Sequence, residues 1–141
     1  FQLPIADLAV ANSDFNFIDR LWLDWSPNWP EYKQYSDKAI KVLSKDNVLS
    51  KALAYYRSTF QESLQTERIS NLSNKLLAKK ISIPSLYLHG ENDGCIGTNL
   101  SDGMEDFFED LEIKILPDCG HFLHLERSQE VNEIILEFLS R

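Results

Sequence analysis

Two short apolar segments in the second half of the chain restrict its fold more than any other feature. Residues 81–88, Ile-Ser-Ile-Pro-Ser-Leu-Tyr-Leu, form an apolar run with Pro84 near its start, where a strand tolerates proline, and the run ends on His89-Gly90. Leu111–Leu116 alternates apolar and polar residues and stops at Pro117. A short helical pattern at residues 104–108 lies between them. Two strands joined through such a crossover run parallel, and parallel strands occur almost only in sheets covered on both faces. Two strands alone make no such sheet. Their bare edges predict that the remaining strands come from residues before Phe1 or from another chain, or that the chain self-associates as a homo-oligomer. The sequence reads as the second half of a larger α/β unit.

The first half has a different period. From residue 7 to 25 the residues Leu8, Val10, Phe15, Ile18, Leu21, Trp22 and Trp25 recur mostly at three- and four-residue steps, which predicts two helices broken near Asn12 and Ser13. Ser26, Pro27, Asn28, Trp29 and Pro30 stop the helix. Helices are predicted again over residues 31–44 and 47–65, the second with Leu49, Leu53, Tyr56 and Phe60 on one face. A last helix follows Ser128, a good capping residue, and carries Val131, Ile134, Ile135, Phe138 and Leu139.

Charge narrows the partners. With 14 Lys and Arg against 22 Asp and Glu, the net charge of −8 lacks the basic footprint of a nucleic-acid binder or a polybasic membrane module. No apolar run approaches the ~18 residues of a membrane span. The Ala-x-Ala pattern near the start lacks a basic leader, and Asp7 interrupts its apolar stretch, so it does not read as a secretory signal. Cys95 and Cys119 are too few for a disulfide scaffold, and reduced thiols with a cytoplasmic location are the expectation.

Chemistry concentrates after the two strands. Asp93 follows the first in Leu86-Tyr-Leu-His-Gly-Glu-Asn-Asp-Gly, and His121 follows the second in Gly120-His121-Phe122. Ligands and catalytic groups in open α/β sheets gather at the carboxyl ends of strands, and a separation of 28 residues is about one crossover. An Asp–His pair is therefore geometrically available. In such a pair the carboxylate fixes the imidazole tautomer, and the other ring nitrogen serves as base. The sequence contains no Gly-x-Ser-x-Gly elbow to supply a nucleophile.

These segments, IPSLYLHGENDG and LPDCGHFLHLERSQEVNEIILEFL, resemble the C-terminal portion of the α/β-hydrolase fold. The opening FQLP and Ala54-Tyr-Tyr-Arg57 resemble the cap of its epoxide hydrolase branch. The resemblance implies a helical cap over residues 1–65, then the last two parallel strands and helices of the main sheet over residues 66–141. It implies Asp93 as triad acid, His121 as base and Tyr56 as the cap tyrosine that hydrogen-bonds the epoxide oxygen. It further implies a small apolar substrate, no cofactor, and a nucleophile in a missing N-terminal half or on a partner chain.

Ile5 follows Pro4 where that branch usually has Gly. Haloalkane or haloacetate dehalogenases and esterases of the same fold share the late Asp and Gly-His pattern, and an inactive split half that only binds a partner is the remaining alternative. His89, His124 and Glu126 lack metal-site spacing, so no metal is expected, and Glu126 is expected to pack or hydrogen-bond near the histidine loop. Cys119 is expected to be buried and inert, and Trp22, Trp25 and Trp29 to serve mainly in packing.

Overall fold

The computed structural model describes residues 1–77 and 79–141. The elements are α1 (Ala6–Trp25), α2 (Tyr32–Leu43), α3 (Val48–Phe60), α4 (Glu67–Leu77), β1 (Ser85–Gly90), β2 (Leu111–Leu116), α5 (Leu123–Glu126) and α6 (Ser128–Leu139), with short 3₁₀ turns after α3 and between the strands. The chain divides into two compact units, one of residues 1–22 and 31–75, the other of residues 23–30 and 76–141. No described helix is long and apolar enough to cross a membrane.

In the first unit the break expected in α1 is present and wider than two residues. Asn12 is extended, and Ser13, Asp14 and Phe15 all have positive φ, between 50° and 63°. For non-glycine residues this conformation costs roughly 1–2 kcal/mol each. Ala6, Val10 and Leu53 are buried here. Polar ties join the helices: Arg57 pairs with Asp7 at 2.5 Å, and Asp19 accepts from Lys33 at 2.9 Å and from the fully buried Ser36 at 2.5 Å. Helix α3 ends at Phe60, earlier than its sequence period suggests, and α4 is a further helix beyond those expected from the sequence.

In the second unit β1 and β2 pair in parallel, with Ser85 opposite Leu111 and Gly90 opposite Leu116. Strand β1 starts four residues later than the apolar run because Pro84 has no N–H to donate. Ile81 makes an isolated bridge to Phe108, and regular pairing begins only when Ser85 N donates to Asp110 O at 3.0 Å. The crossover contains 3₁₀ turns, Thr98–Ser101 and Met104–Phe107, where the sequence predicted one short helical stretch at residues 104–108. Leu116, Cys119 and Val131 form the buried core, with Leu88, Leu123 and Ile134 packed against it. Thus β2, the turn after it and α6 share one apolar nucleus. Ser128 is the first residue of α6 rather than its cap; that position falls to Arg127, which has no side-chain capping bond.

Candidate active site

Because the strands pair in register, their carboxyl ends lie side by side, and the turns leaving them meet. Glu91 N donates to Leu116 O at 2.8 Å and Asn92 N to Cys119 O at 2.9 Å, which carries the pairing beyond the strands. Gly90 is required at this crossing, since a Cβ there would overlap the Cys119 and Gly120 carbonyl oxygens. Asp93 then turns inward with its side chain only 6% exposed. Its Oδ1 accepts from Cys95 N at 2.7 Å and Ile96 N at 3.0 Å, and its Oδ2 lies 2.8 Å from His121 Nδ1. Burial pushes the Asp93 carboxyl upward. The Ile96 amide, the His121 imidazole and the Cys95 amide more than offset this and hold it below the ordinary carboxylate range.

The histidine loop is fastened on every amide. Glu126 Oε2 accepts from Gly120 N at 2.9 Å, Trp25 O accepts from His121 N at 3.0 Å, and Glu126 Oε1 accepts from Phe122 N at 3.1 Å. The fully buried Ser26 donates its hydroxyl to Glu126 Oε1 at 2.7 Å and accepts from Phe122 N at 3.2 Å. A Cβ on Gly120 would come within 2.7 Å of Ser26, so only glycine lets loop and segment approach this closely. Rings of Trp25 at 4.9 Å and Phe122 at 5.2 Å brace the imidazole edge-on. The carboxylate can only accept, so Nδ1 carries the hydrogen and Nε2 is left with its lone pair. The side chain remains 28% exposed, enough for reagents to reach it.

Asp93 and His121 are thus brought together. Tyr56 lies on α3 in the other unit, 38% exposed, with its ring 5.0 Å from Phe1 and 5.8 Å from Tyr55. Gln2 Nε2 donates to Tyr56 O at 3.0 Å, and Gln61 Nε2 donates back to Gln2, so the opening Phe-Gln is tied to α3 around this tyrosine. Phe1, Leu3, Ile5, Val10 and Phe17 also line an apolar pocket of about 160 Å³ in this unit.

Glu126 hydrogen-bonds the histidine loop, Cys119 is buried with its thiol pushed up to about 11 by desolvation first and then by the Glu126 charge, and Trp29 is buried beside Phe122. The sequence reading missed the role of residues 23–30, whose helix-stopping composition conceals a wall for the histidine loop. It also missed His89, which shares a strand face with Tyr87. Asp93, Cys95 and His121 have ligand atoms within 4.8 Å of one another. A cation there would have to displace the hydrogen bond between Asp93 and His121, so the set fits a proton-bridged pair better than a metal centre.

No family model matches the chain. Rat bifunctional epoxide hydrolase 2 is 29% identical over 106 residues, covering 72% of this chain and 19% of that protein. Epoxide hydrolase 3 of Xenopus tropicalis is 26% identical over 146 residues, covering 99% of this chain and 37% of that protein. Among solved structures, the epoxide hydrolase CorEH superposes with a TM-score of 0.73 at 20% identity over 96% of this chain and 45% of its own. A thermophilic esterase superposes at 0.67 and 20% over 98% and 50%. The chain therefore spans half or less of the length of these proteins. It has the fold of the C-terminal portion of an α/β-hydrolase, and its homologues include epoxide hydrolases.

Proposed function

We propose that this chain supplies the acid and base of a hydrolase triad of the epoxide hydrolase type, acting on a small apolar substrate. The nucleophile belongs to a part of the protein outside these 141 residues or to a partner chain. The observation that carries this reading is the 2.8 Å contact from His121 Nδ1 to a buried carboxylate held ionised by two backbone amides. A nucleophilic carboxylate opens the oxirane by attacking carbon, and the C–O bond breaks as Tyr56 gives the oxygen its proton. His121 Nε2 then takes a proton from water as the water attacks the ester carbonyl, the imidazolium gives that proton to the departing alkoxide to release the diol, and the second water proton, left on the regenerated carboxyl, returns to the Tyr56 phenolate. The Asp93 charge stabilises the imidazolium formed in that step.

In this reading the first unit acts as a cap presenting Tyr56, whose neutral phenol is a suitable donor to a developing alkoxide. The free thiols of Cys95 and Cys119 agree with a cytoplasmic setting. A second reading, a serine esterase, draws support from the esterase superposition. It keeps Asp93 and His121 in the same roles and leaves Tyr56 without one.

The test is His121→Gln in the full-length protein incubated with styrene oxide. Water activation fails while alkylation proceeds, so intact-mass spectrometry should show the protein heavier by one substrate. An unmodified mutant that also turns over no epoxide would refute the ester mechanism. Native turnover of a p-nitrophenyl ester that His121→Gln abolishes without trapping an adduct, with no epoxide turnover, would select the esterase reading, because a serine needs the histidine even to be acylated.

A further inference from the structure

Behind the acid lies a third titratable group that the proposed chemistry does not use. His89, near the end of β1, is 5% exposed. Tyr87 precedes it by two residues and so shares its face of the strand, with the phenol oxygen 2.6 Å from His89 Nδ1. The other ring nitrogen, Nε2, lies 3.0 Å from Ile96 O and 3.5 Å from Asp93 Oδ2. Both of these oxygens are acceptors, so Nε2 carries the hydrogen, Nδ1 of the neutral ring offers a lone pair, and the Tyr87 hydroxyl donates to it. A single tautomer satisfies every contact.

That tautomer bears on the geometry of Asp93. Ile96 is gripped twice: its N–H donates to Asp93 Oδ1, and its carbonyl accepts from His89. The imidazole thus anchors the far end of the turn whose near end is the acid. It also presents a donor edge to Oδ2, the oxygen that faces His121.

We infer that His89, locked by Tyr87 with its hydrogen on Nε2, is a positioning residue that fixes the 93–96 turn and thereby aims Asp93 at His121. This rests on the reading of Asp93 and His121 as acid and base. The titratable groups around Asp93 are His89 and Tyr87 on β1, Cys95 on its own turn and His121 from the loop after β2. The segment 23–30, whose backbone meets Gly94, carries Asp24. Burial first, and then the Asp93 charge, raises the Tyr87 phenol above its ordinary range, which keeps it protonated and able to donate.

Nuclear magnetic resonance on the full-length protein tests this, with long-range nitrogen correlations for the imidazoles and carbon detection for the Asp93 carboxyl. The native chain should show His89 with its hydrogen on Nε2 and Asp93 titrating below 3.8. In His89→Leu the Ile96 carbonyl loses its donor, and Asp93 should titrate toward or above 3.8, because burial alone pushes it up. His89→Gln, whose amide can donate to Ile96 O, should keep Asp93 low. Tyr87→Phe should leave the hydrogen on Nε2, where Ile96 O and Asp93 Oδ2 still accept, but should loosen the ring and move Asp93 part of the way that His89→Leu does. Should the leucine variant not fold, this variant and His89→Gln decide the matter, an Asp93 unmoved in Tyr87→Phe counting against the inference. The inference is overturned by an unchanged Asp93 titration in His89→Leu, by glutamine failing to rescue it, or by a native His89 with its hydrogen on Nδ1. The acid–base reading has its own signature, a slowly exchanging Nδ1 proton on His121 in the native chain. Its absence would sink that reading whatever the His89 variants do.

Discussion

Ser26 and Glu126 meet at 2.7 Å across 100 residues of chain, and between them they hold the amides on both sides of His121. A carboxylate accepting from two amides and a hydroxyl does more than cap a turn. It fixes the backbone from which the imidazole projects, so the reach of His121 toward Asp93 depends on two side chains outside that pair.

Removing that carboxylate leaves two donors, Gly120 N and the Ser26 hydroxyl, without an acceptor, while Phe122 N keeps Ser26 Oγ. Hydrogen bonds to charged groups contribute ~1.5–3 kcal/mol, and an orphaned buried donor costs ~1–3 kcal/mol. Glu126→Ala should therefore destabilise the second unit by about 2–4 kcal/mol in urea unfolding. Glu126→Gln should cost less, about 1 kcal/mol, because its one oxygen still accepts while its amide nitrogen confronts a donor. Equal losses from the two substitutions would mean that packing of the glutamate stem, rather than its acceptor oxygens, holds the loop.

Asp93 ties stability to acid. Its folded pKa lies below the ordinary 3.8, so its contribution is fully present above the unfolded value and is lost as pH falls through the folded one. The native chain should lose stability through this group below about pH 4. Asp93→Asn, which has no carboxyl to titrate, should show a shallower slope over that range at a lower plateau. Parallel acid limbs for the two proteins in denaturant titrations from pH 2 to 7 would contradict the linkage.

What the sequence made legible follows from how local each signal is. Asp93 and His121 could be paired because each follows a strand, and parallel register carries both turns to one edge. The Ser26–Glu126 contact left no such trace, since nothing local in a helix-stopping Ser-Pro-Asn-Trp-Pro stretch reports what it packs against. Helix α4 was within reach of the sequence, since Ile69, Leu72 and Leu76 recur at the same three- and four-residue steps that mark the earlier helices. The left-handed residues Ser13, Asp14 and Phe15 contain no glycine, the usual sign of positive φ. The spacing of His89 speaks only to metal ligation, whereas its partners are a phenol, a carbonyl and a carboxylate.

The two thiols should behave differently. Cys119 is 1% exposed, bonds Leu116 O and is pushed up to about 11, so it should resist alkylation until the chain unfolds. Cys95 is exposed but also raised, by desolvation first and then by the Asp93 charge, which makes it a slower nucleophile than a free thiol. Iodoacetamide at pH 8 should modify Cys95 alone in the native chain and both cysteines in denaturant. Asp93→Asn should speed the native reaction by removing the negative charge. Labelling of Cys119 at the rate of Cys95 under native conditions would show that the Leu116–Cys119–Val131 core opens on that timescale.

Tyr56 separates the two catalytic readings, because the epoxide reading has it protonate the ring oxygen, whereas the esterase reading gives it no role. Its ring rests on Phe1, and its carbonyl is held by Gln2, so loss of the hydroxyl alone should leave these supports in place. Removing one preorganised donor to a developing oxyanion typically lowers kcat by ~10²–10³-fold. In the full-length protein Tyr56→Phe should lower kcat on styrene oxide by about 10²-fold while leaving any p-nitrophenyl ester turnover within a few-fold of native. The contrast with His121→Gln is informative, since His121 serves both reactions. Unchanged epoxide turnover in Tyr56→Phe would remove this phenol from the mechanism, whereas equal losses on epoxide and ester would assign it to the shape of the first unit, where Phe1 and Gln2 lean on it.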